Sequence, residues 1–325
     1  ADLVASLGSL SGGPVDLVGV GGPALEAAGL QSLFDYSELS IMGLTAVLAR
    51  LPRLIRRISE TADAIVSARP DVLVIIDSPD FTHRVARKVK QSLPALPVVN
   101  YVCPSVWAWK EERARLMRSH VDLVLAVLPF EPDVMARLGG PQTVYVGHRL
   151  AGLAEVIRAR NANEARRAAP AAQERTILLM PGSRSSEVGR LLGPFLEAAA
   201  LLGQRGDYRF LLPAVGHQER FIRAKVERSG LPIEIITGEE AKWQAFAKAD
   251  AALAASGTTI LELALSGIPV VSAYKTDWMV RFMMRRIKTW TAALPNLVVD
   301  YPAVPEYFNE MARPGIFVRW LERYC

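Results

Sequence analysis

The segment Pro181-Gly182-Ser183-Arg184 interrupts an apolar run at 176–180 and precedes a helical pattern with Glu187 near its start. A helix that opens after a strand presents unpaired backbone N–H groups and the positive end of its dipole, so its natural guest is an anion. Gly182 lets a phosphate approach the backbone, Ser183 adds a hydroxyl donor, and Arg184 adds a planar fork for bidentate contact. The same residues also suit an ordinary turn with a solvated Arg. A second segment of this kind follows, in which Ser256, Gly257, Thr258 and Thr259 separate an apolar run from a helix carrying Glu262. Two such turns in one half of the chain point to a nucleoside diphosphate. Glu262 then either bridges vicinal sugar hydroxyls or offsets the helix dipole.

Asp77 ends the apolar run 72–77, the place where an open parallel sheet carries its catalytic groups. Pro79 stops that strand, and Asp80 or Thr82 is placed to cap the next helix. A desolvated Asp77 serves as general base toward a hydroxyl nucleophile; otherwise both acids are turn formers. Trp107 and Trp109 follow the run 97–102 and read either as core or as walls of a sugar or acyl site. His148 ends the run 143–147, with a structural hydrogen bond and catalysis both open to it. Gly19-x-Gly21-x-x-Ala24 imitates a dinucleotide fingerprint with Asp35 and Glu38 near the expected acidic position, but Pro23 inside the loop argues against NAD. No clustering of His, Asp and Glu suggests a metal.

The elements that must position these residues are short β-rich runs alternating with helix-length segments. The runs are 15–20, 72–77, 97–102, 122–128, 143–147, 176–180, 208–215, 233–237, 251–256 and 269–274. Near-continuous apolar strands between helices predict parallel sheets covered on both faces. The fold class expected is therefore α/β, with two doubly wound, Rossmann-like domains facing a cleft. Residues 1–155 and 173–325 form the domains, and 156–172, rich in Ala, Arg and Asn, joins them.

Composition sets the bounds. The 325 residues are half hydrophobic and carry a formal charge of +5, which favours an anionic partner. Nucleic acid is not expected, because no RNP-like strand, zinc spacing or Lys-rich tail accompanies that charge. Two cysteines, Cys103 and Cys325, provide no disulfide framework and fit a reducing compartment. No apolar run reaches the length that spans a bilayer. The basic residues gather instead on two apolar helical patterns. In 39–58, Ile41, Leu44, Leu48 and Leu51 keep helical spacing beside Arg50, Arg53, Arg56 and Arg57, with Pro52 expected to kink or restart the helix. In 278–290, Trp278, Phe282, Met283, Ile287 and Trp290 lie beside Arg281, Arg285, Arg286 and Lys288. An apolar face with a basic fringe is the pattern of a helix lying in a membrane interface, and also of a helix packed on a core.

Taken in order, "GVGGPALEAAG", "LSIMGL", "IDSPDF", "YVCPSVWAW", "LPFE", "VGH", "LMPGSR", "ASGTTILE" and "LPNL" resemble the lipid-A-disaccharide synthase family across nearly the whole chain. The resemblance implies an inverting, metal-independent GT-B glycosyltransferase with no cofactor. It would transfer 2,3-diacylglucosamine from UDP to 2,3-diacylglucosamine 1-phosphate, forming a β-1,6 disaccharide. It further implies Asp77 as general base on the acceptor 6-hydroxyl and Arg184 at the diphosphate. Gly182, Ser183, Ser256 to Thr259 and Glu262 would hold the donor, and Asn296 and Glu306 would close its pocket. The implied location is the cytoplasmic leaflet of the inner membrane, reached through Ile41, Leu44, Leu48, Leu51, Arg53 and Arg57; an oligomer is left open. Asn309 stands where Gln is common in the family, and Arg149 where a smaller residue is usual. The family's opening strand and G-E-T-S-G-D loop lie before Ala1, so the sequence reads as a fragment. Two alternatives follow, a UDP-binding relic without activity and an epimerase or transferase acting on soluble sugars.

Overall fold

The computed structural model describes residues 1–39, 44–169, 174–276 and 287–325, with 44–50 as backbone only. The chain divides into two units, Ala1–Val146 and Gly147–Cys325.

The first unit runs α1 (Asp2–Ser11), β1 (Val18–Gly19), α2 (Pro23–Glu26), β2 (Gln31–Ser32), α3 (Leu44–Ala68), β3 (Leu73–Ile76) and α4 (Pro79–Ser92). It continues with β4 (Val98–Tyr101), α5 (Glu112–Met117), β5 (Leu123–Ala126), α6 (Glu131–Arg137) and β6 (Gln142–Tyr145). Strands β3 to β6 pair in chain order, all parallel, and β1 with β2 forms a separate parallel pair. Alternate residues of the strands face the core: Leu73 and Ile75, Val98, then Val124 and Ala126 pack with Ala62 and Ile65 of α3 and Phe81, Val85 and Val89 of α4. Helix α3 runs unbroken through Pro52, where a kink or restart was expected; Pro52 forfeits one backbone bond without ending the helix.

The glycine loop at 19–24 leads into a helix of only four residues. A Cβ on Gly21 would come within 2.6 Å of Leu30 and 2.8 Å of Leu25, so the loop is closed on its own side chains rather than open to a pyrophosphate. Asp35 accepts from Ser37 N at 2.8 Å, and Glu38 is ion-paired with Arg53 and Arg57. Neither acid is left for a ribose.

The second unit contains α7 (Ala154–Ala168), β7 (Arg175–Met180), α8 (Ser185–Gly203), β8 (Tyr208–Ala214), α9 (Gly216–Ser229), β9 (Ile233–Thr237) and α10 (Glu239–Phe246). It is completed by β10 (Ala251–Ala255), α11 (Thr258–Leu265), β11 (Val270–Tyr274), α12 (Leu294–Val299), β12 (Glu306–Phe308) and α13 (Pro314–Tyr324). Its parallel sheet has the order β12-β11-β10-β7-β8-β9. Ile177 and Leu179 face one core with Phe195 of α8 and Phe317 of α13, while Leu178 faces another with Trp243 and Phe246 of α10. This is the two-sided burial that made the strands legible as continuous apolar runs.

The segment read as a linker is different. Residues 154–168 form α7 and belong to the second unit, whose boundary falls at Gly147 rather than at 173. Its anchors are polar: buried Asn163 donates to Phe246 O and Ser266 O, and Arg166 donates to Ala247 O and Asp250 Oδ1. Only Val156 and Ala159 supply buried apolar contact, which is why hydrophobic periodicity did not reveal the helix. Strands β2 and β12 also escaped the sequence reading, being two and three residues long. Among the described residues no helix is long and apolar enough to cross a membrane.

Candidate active site

In the second unit the chain leaves β7 toward β8 and β9, then returns to place β10 on the other side of β7. Adjacent strands β7 and β10 therefore diverge in their onward connections, the switch point at which open α/β sheets bind ligands beyond the carboxyl ends. Met180 pairs with Ala254, so the turns at 181–184 and 256–259 leave the sheet side by side. The two anion-ready segments, which begin 75 residues apart in sequence, are brought together by strand pairing alone.

They are not equally open. Glu187 folds back on the start of α8: its Oε2 accepts from Ser183 N and Arg184 N, each at 3.3 Å, and its Oε1 accepts from Arg184 Nη1 at 2.7 Å. A carboxylate thus lies where the sequence suggested a phosphate. Gly182, at φ 113°, is required here, because a Cβ would meet the Glu187 carboxylate at 2.7 Å. Helix α9 braces the same turn, with His217 Nε2 2.9 Å from Ser183 O and buried Gln218 donating to Ser185 Oγ at 2.7 Å. By contrast, no side chain caps α11. Ser256 N is spent on Ala273 O, leaving Gly257 and the hydroxyl-bearing Thr258 and Thr259 at the helix start.

Glu262 accepts from Lys242 Nζ at 3.4 Å, and Lys242 also binds Glu239 at 2.6 Å. Asn296 and Glu306 depart from the sequence expectation of a ligand-facing pair. Asn296 is 1% exposed, donates to Val304 O and Thr291 Oγ1 and accepts from Val304 N, which uses both ends of its amide inside the protein. Glu306 accepts from Thr291 Oγ1 and from Ala292 N. Together they clamp the 291–306 segment rather than present free groups.

In the first unit a pocket of about 220 Å³ opens at the carboxyl ends of β3 and β4. Its lining includes Asp77, His83, Asn100, Val102, Trp109 and Arg113. Backbone strain gathers there. Asp77, Ser78, Val102 and Lys110 all have φ between 42° and 73°, four of the seven such non-glycine residues described. For β-branched Val102 this conformation is a genuine outlier, and such strain persists where surrounding contacts enforce it. Here buried Asn100 donates to Val102 O at 2.8 Å, and Thr82 Oγ1 donates to Asp77 O at 2.8 Å. Asp77 itself is exposed, so the desolvation expected of it is not supplied. Asp80 is not a cap but an ion-pair partner of Arg113 at 3.1 Å.

The two Trp residues part company. Trp107 Nε1 donates to Glu131 Oε1 at 3.2 Å, and the other Glu131 oxygen takes Val127 N and Leu128 N. Glu131 is buried, and that burial pushes its carboxyl above the usual range. Trp107 is therefore a tie between two loops, whereas exposed Trp109 faces the pocket beneath Lys110 Nζ at 4.4 Å. His148 caps the short helical turn Arg149–Gly152 by accepting from Leu150 N, the structural of its two readings. Sequence alone assigns no role to His83, His120 and His217, which belong to no spaced motif, nor to Glu131, which closes the LPFE segment.

For the basic helical patterns, Ile41 and 277–286 lie outside the described residues, as do the side chains of Leu44 and Leu48. Leu51 and Ile55 of α3 are exposed, at 39% and 52%, and Ile287 and Trp290 are exposed as well. Arg53 contacts Glu38 at 2.6 Å from an exposed position. Arg57 is more deeply engaged, bound to Glu38 and Glu60 and lying 4.5 Å above the Phe34 ring, so it is a protein contact rather than a free surface charge. No group of three His, Cys, Asp or Glu able to hold a metal occurs among the described residues.

The parallel α/β architecture is shared with GT-B enzymes. Acinetobacter baumannii MurG has TM-score 0.58 and 14% identity, over 98% of this chain and 85% of that one. A UDP-GlcNAc 2-epimerase of Methanocaldococcus jannaschii, solved with UDP-GlcNAc and UDP, has TM-score 0.55 and 14% identity over 92% and 80%. These likenesses concern the fold and do not choose between transfer and epimerisation. Sequence does. A lipid-A-disaccharide synthase of Nitrobacter winogradskyi is 46% identical over 97% of this chain and 79% of its own length. Residues 8–316 match the family described as lipid-A-disaccharide synthetase, and the chain belongs to that family.

Proposed function

We propose that the protein transfers 2,3-diacylglucosamine from UDP to the 6-hydroxyl of 2,3-diacylglucosamine 1-phosphate. Family membership across residues 8–316 carries this reading. In this reading Asp77 takes the proton of the acceptor hydroxyl, the oxygen attacks the anomeric carbon, and the bond from that carbon to the diphosphate oxygen breaks with inversion. The start of α11 and Arg184 receive the charge that develops on departing UDP, electrostatic work that a divalent metal performs in other transferases. The adjacency of the two turns beyond β7 and β10 supports placing the diphosphate there. For Arg184 to reach it, the contact with Glu187 must be exchanged for phosphate.

The substrates carry acyl chains, so the reading includes peripheral attachment to the inner leaflet of the inner membrane. Exposed Leu51 and Ile55 with exposed Arg53 and Arg56 on α3 support it. The test is turnover of both acylated glucosamines by the full-length protein in EDTA. Undiminished disaccharide formation is expected. Loss of turnover restored by Mg²⁺ would overturn the metal-free mechanism, and absence of disaccharide under all conditions would overturn the function.

A further inference from the structure

His83 of α4 lines the pocket that contains Asp77, and it stands at one end of a hydrogen-bonded chain that passes through buried His120 to exposed Ser119. Its Nδ1 lies 3.0 Å from His120 Nε2, and His120 Nδ1 lies 3.0 Å from Ser119 Oγ. The rings meet edge to face at 5.2 Å and 90°. Ser119 Oγ also lies 3.0 Å from Leu116 O, an oxygen that can only accept.

With the Ser119 hydroxyl proton donated to that oxygen, one proton order follows for the chain. The single Ser119 hydroxyl proton goes to Leu116 O, so Ser119 Oγ accepts from His120 Nδ1–H. A neutral His120 then offers the lone pair of Nε2, and His83 must donate to it from Nδ1–H. The remaining nitrogen of His83, Nε2, is left as a lone pair without a partner among the described residues. We infer that His83 Nε2 is a fixed, neutral acceptor for a hydroxyl of the sugar bound in this pocket, with His120 and Ser119 as positioning residues. This assignment rests on the reading of the pocket as the site of the acceptor sugar.

The charged surroundings keep the chain neutral. Arg113 of α5 and Arg87 of α4 face His83, opposed by Asp80, and Asp77 shares the pocket. Burial, reinforced by the two guanidiniums, holds His83 at about 4, and burial with His83 and Arg87 holds His120 at about 4. At neutral pH His83 therefore complements Asp77: a carboxylate to take a proton and an imidazole that only accepts a hydrogen bond. A hydroxyl satisfies it, whereas a group with no proton to donate leaves the lone pair unmatched.

Two measurements test the inference. Long-range ¹H–¹⁵N NMR of the full chain reads the tautomer without substrate; protonated Nδ1 and unprotonated Nε2 on His83 are expected from pH 8 down to about 6. The reverse tautomer, or a charged ring at pH 7, would overturn the inference whatever the enzyme's activity. The second is steady-state kinetics with 2,3-diacylglucosamine 1-phosphate in mixed micelles. His83→Phe should raise KM for this acceptor by about tenfold with KM for the UDP donor unchanged. His83→Gln, which places an oxygen near the position of Nε2, should recover part of the loss. An unchanged acceptor KM in an active, folded His83→Phe protein refutes the inference and leaves the transferase reading intact. No disaccharide from wild type refutes the transferase reading and, with it, the assignment of a sugar ligand.

Discussion

Arg184 Nη1 lies 2.7 Å from Glu187 Oε1, so the cation assigned to the diphosphate already holds a carboxylate one helical turn away. In the proposed binding mode, UDP would exchange this ion pair, whose guanidinium is exposed, for a charge-assisted contact to phosphate. Because an exposed pair contributes only about 0–1 kcal/mol, the exchange is cheap. Glu187→Gln keeps an oxygen for Ser183 N and Arg184 N but removes the competing charge. It should tighten UDP several-fold by calorimetry, the scale of about 1 kcal/mol. Weaker UDP binding would make Glu187 a shaping element of the loop rather than a competitor.

Asp77 occupies a left-handed turn that Thr82 secures from α4. Asparagine tolerates this conformation equally well, so Asp77→Asn isolates the loss of the basic oxygen from any change in shape. Turnover should fall roughly 10²-fold or more while UDP affinity stays constant, the scale of a lost general base. Wild-type activity in this variant would return Asp77 to the role of turn former.

Val102 is held at φ 73° by a bond from Asn100 to its carbonyl, and its side chain is exposed. Asparagine at 102 would remove the penalty for a β-branched residue in this region and sacrifice little burial. Val102→Asn should stabilise the protein by about 1 kcal/mol, read from the urea midpoint. If the strain shapes the pocket, acceptor KM rises in the same variant. A destabilised protein would mean that Val102 contributes packing that its exposure conceals.

What the sequence made legible was whatever rests on a local pattern. The apolar runs at 176–180 and 251–256 became β7 and β10, and the turns beyond them are where Gly182 and Thr258 suggested. Their adjacency was not legible, because strand order is set by the whole sheet rather than by either segment. Helix α7 was missed because Asn163 and Arg166, not an apolar stripe, fasten it. Asn296 and Glu306 are placed at the donor pocket by the family resemblance alone; the fold engages both with Thr291, and Asn296 also with Val304. His83 and His120 are 37 residues apart, and only the packing of α4 against the β4–β5 connection brings them together.

The proposed membrane attachment rests on the exposed part of α3. Leu51 and Ile55 lie one turn apart, and Arg53 and Arg56 remain outward although ion-paired. Replacing Leu51 and Ile55 by Ser removes apolar insertion without touching the core-facing residues Ala62 and Ile65. Co-sedimentation with vesicles of mixed zwitterionic and anionic lipid should fall several-fold, on the scale of about 0.8 kcal/mol per lost buried CH₂. High salt should weaken the wild type only partly, since screening affects the arginines and not the leucine. Equal sedimentation of variant and wild type would remove α3 from the attachment surface.

Acid stability follows from the imidazole pair. His83 and His120 are held at about 4, whereas an imidazole in the unfolded chain titrates near about 6.5. Between these values the unfolded chain binds more protons than the folded one, so stability rises with pH and is lost on acidification through this window. Carboxylates held below their usual range, such as Glu38 by Arg57, add their own loss only at lower pH. Glu131, held above its range by burial, acts in the opposite sense. The interval from pH 7 to about 5 therefore reports chiefly on histidine. The urea midpoint should drop across it in the wild type. Replacing both His83 and His120 by Leu removes donor and acceptor together, which leaves no unmatched polar atom between them, and should flatten that slope. A midpoint independent of pH in the wild type would show that the pair is not neutral and buried in solution; an unchanged slope in the double variant would assign the effect to His148, which burial also depresses.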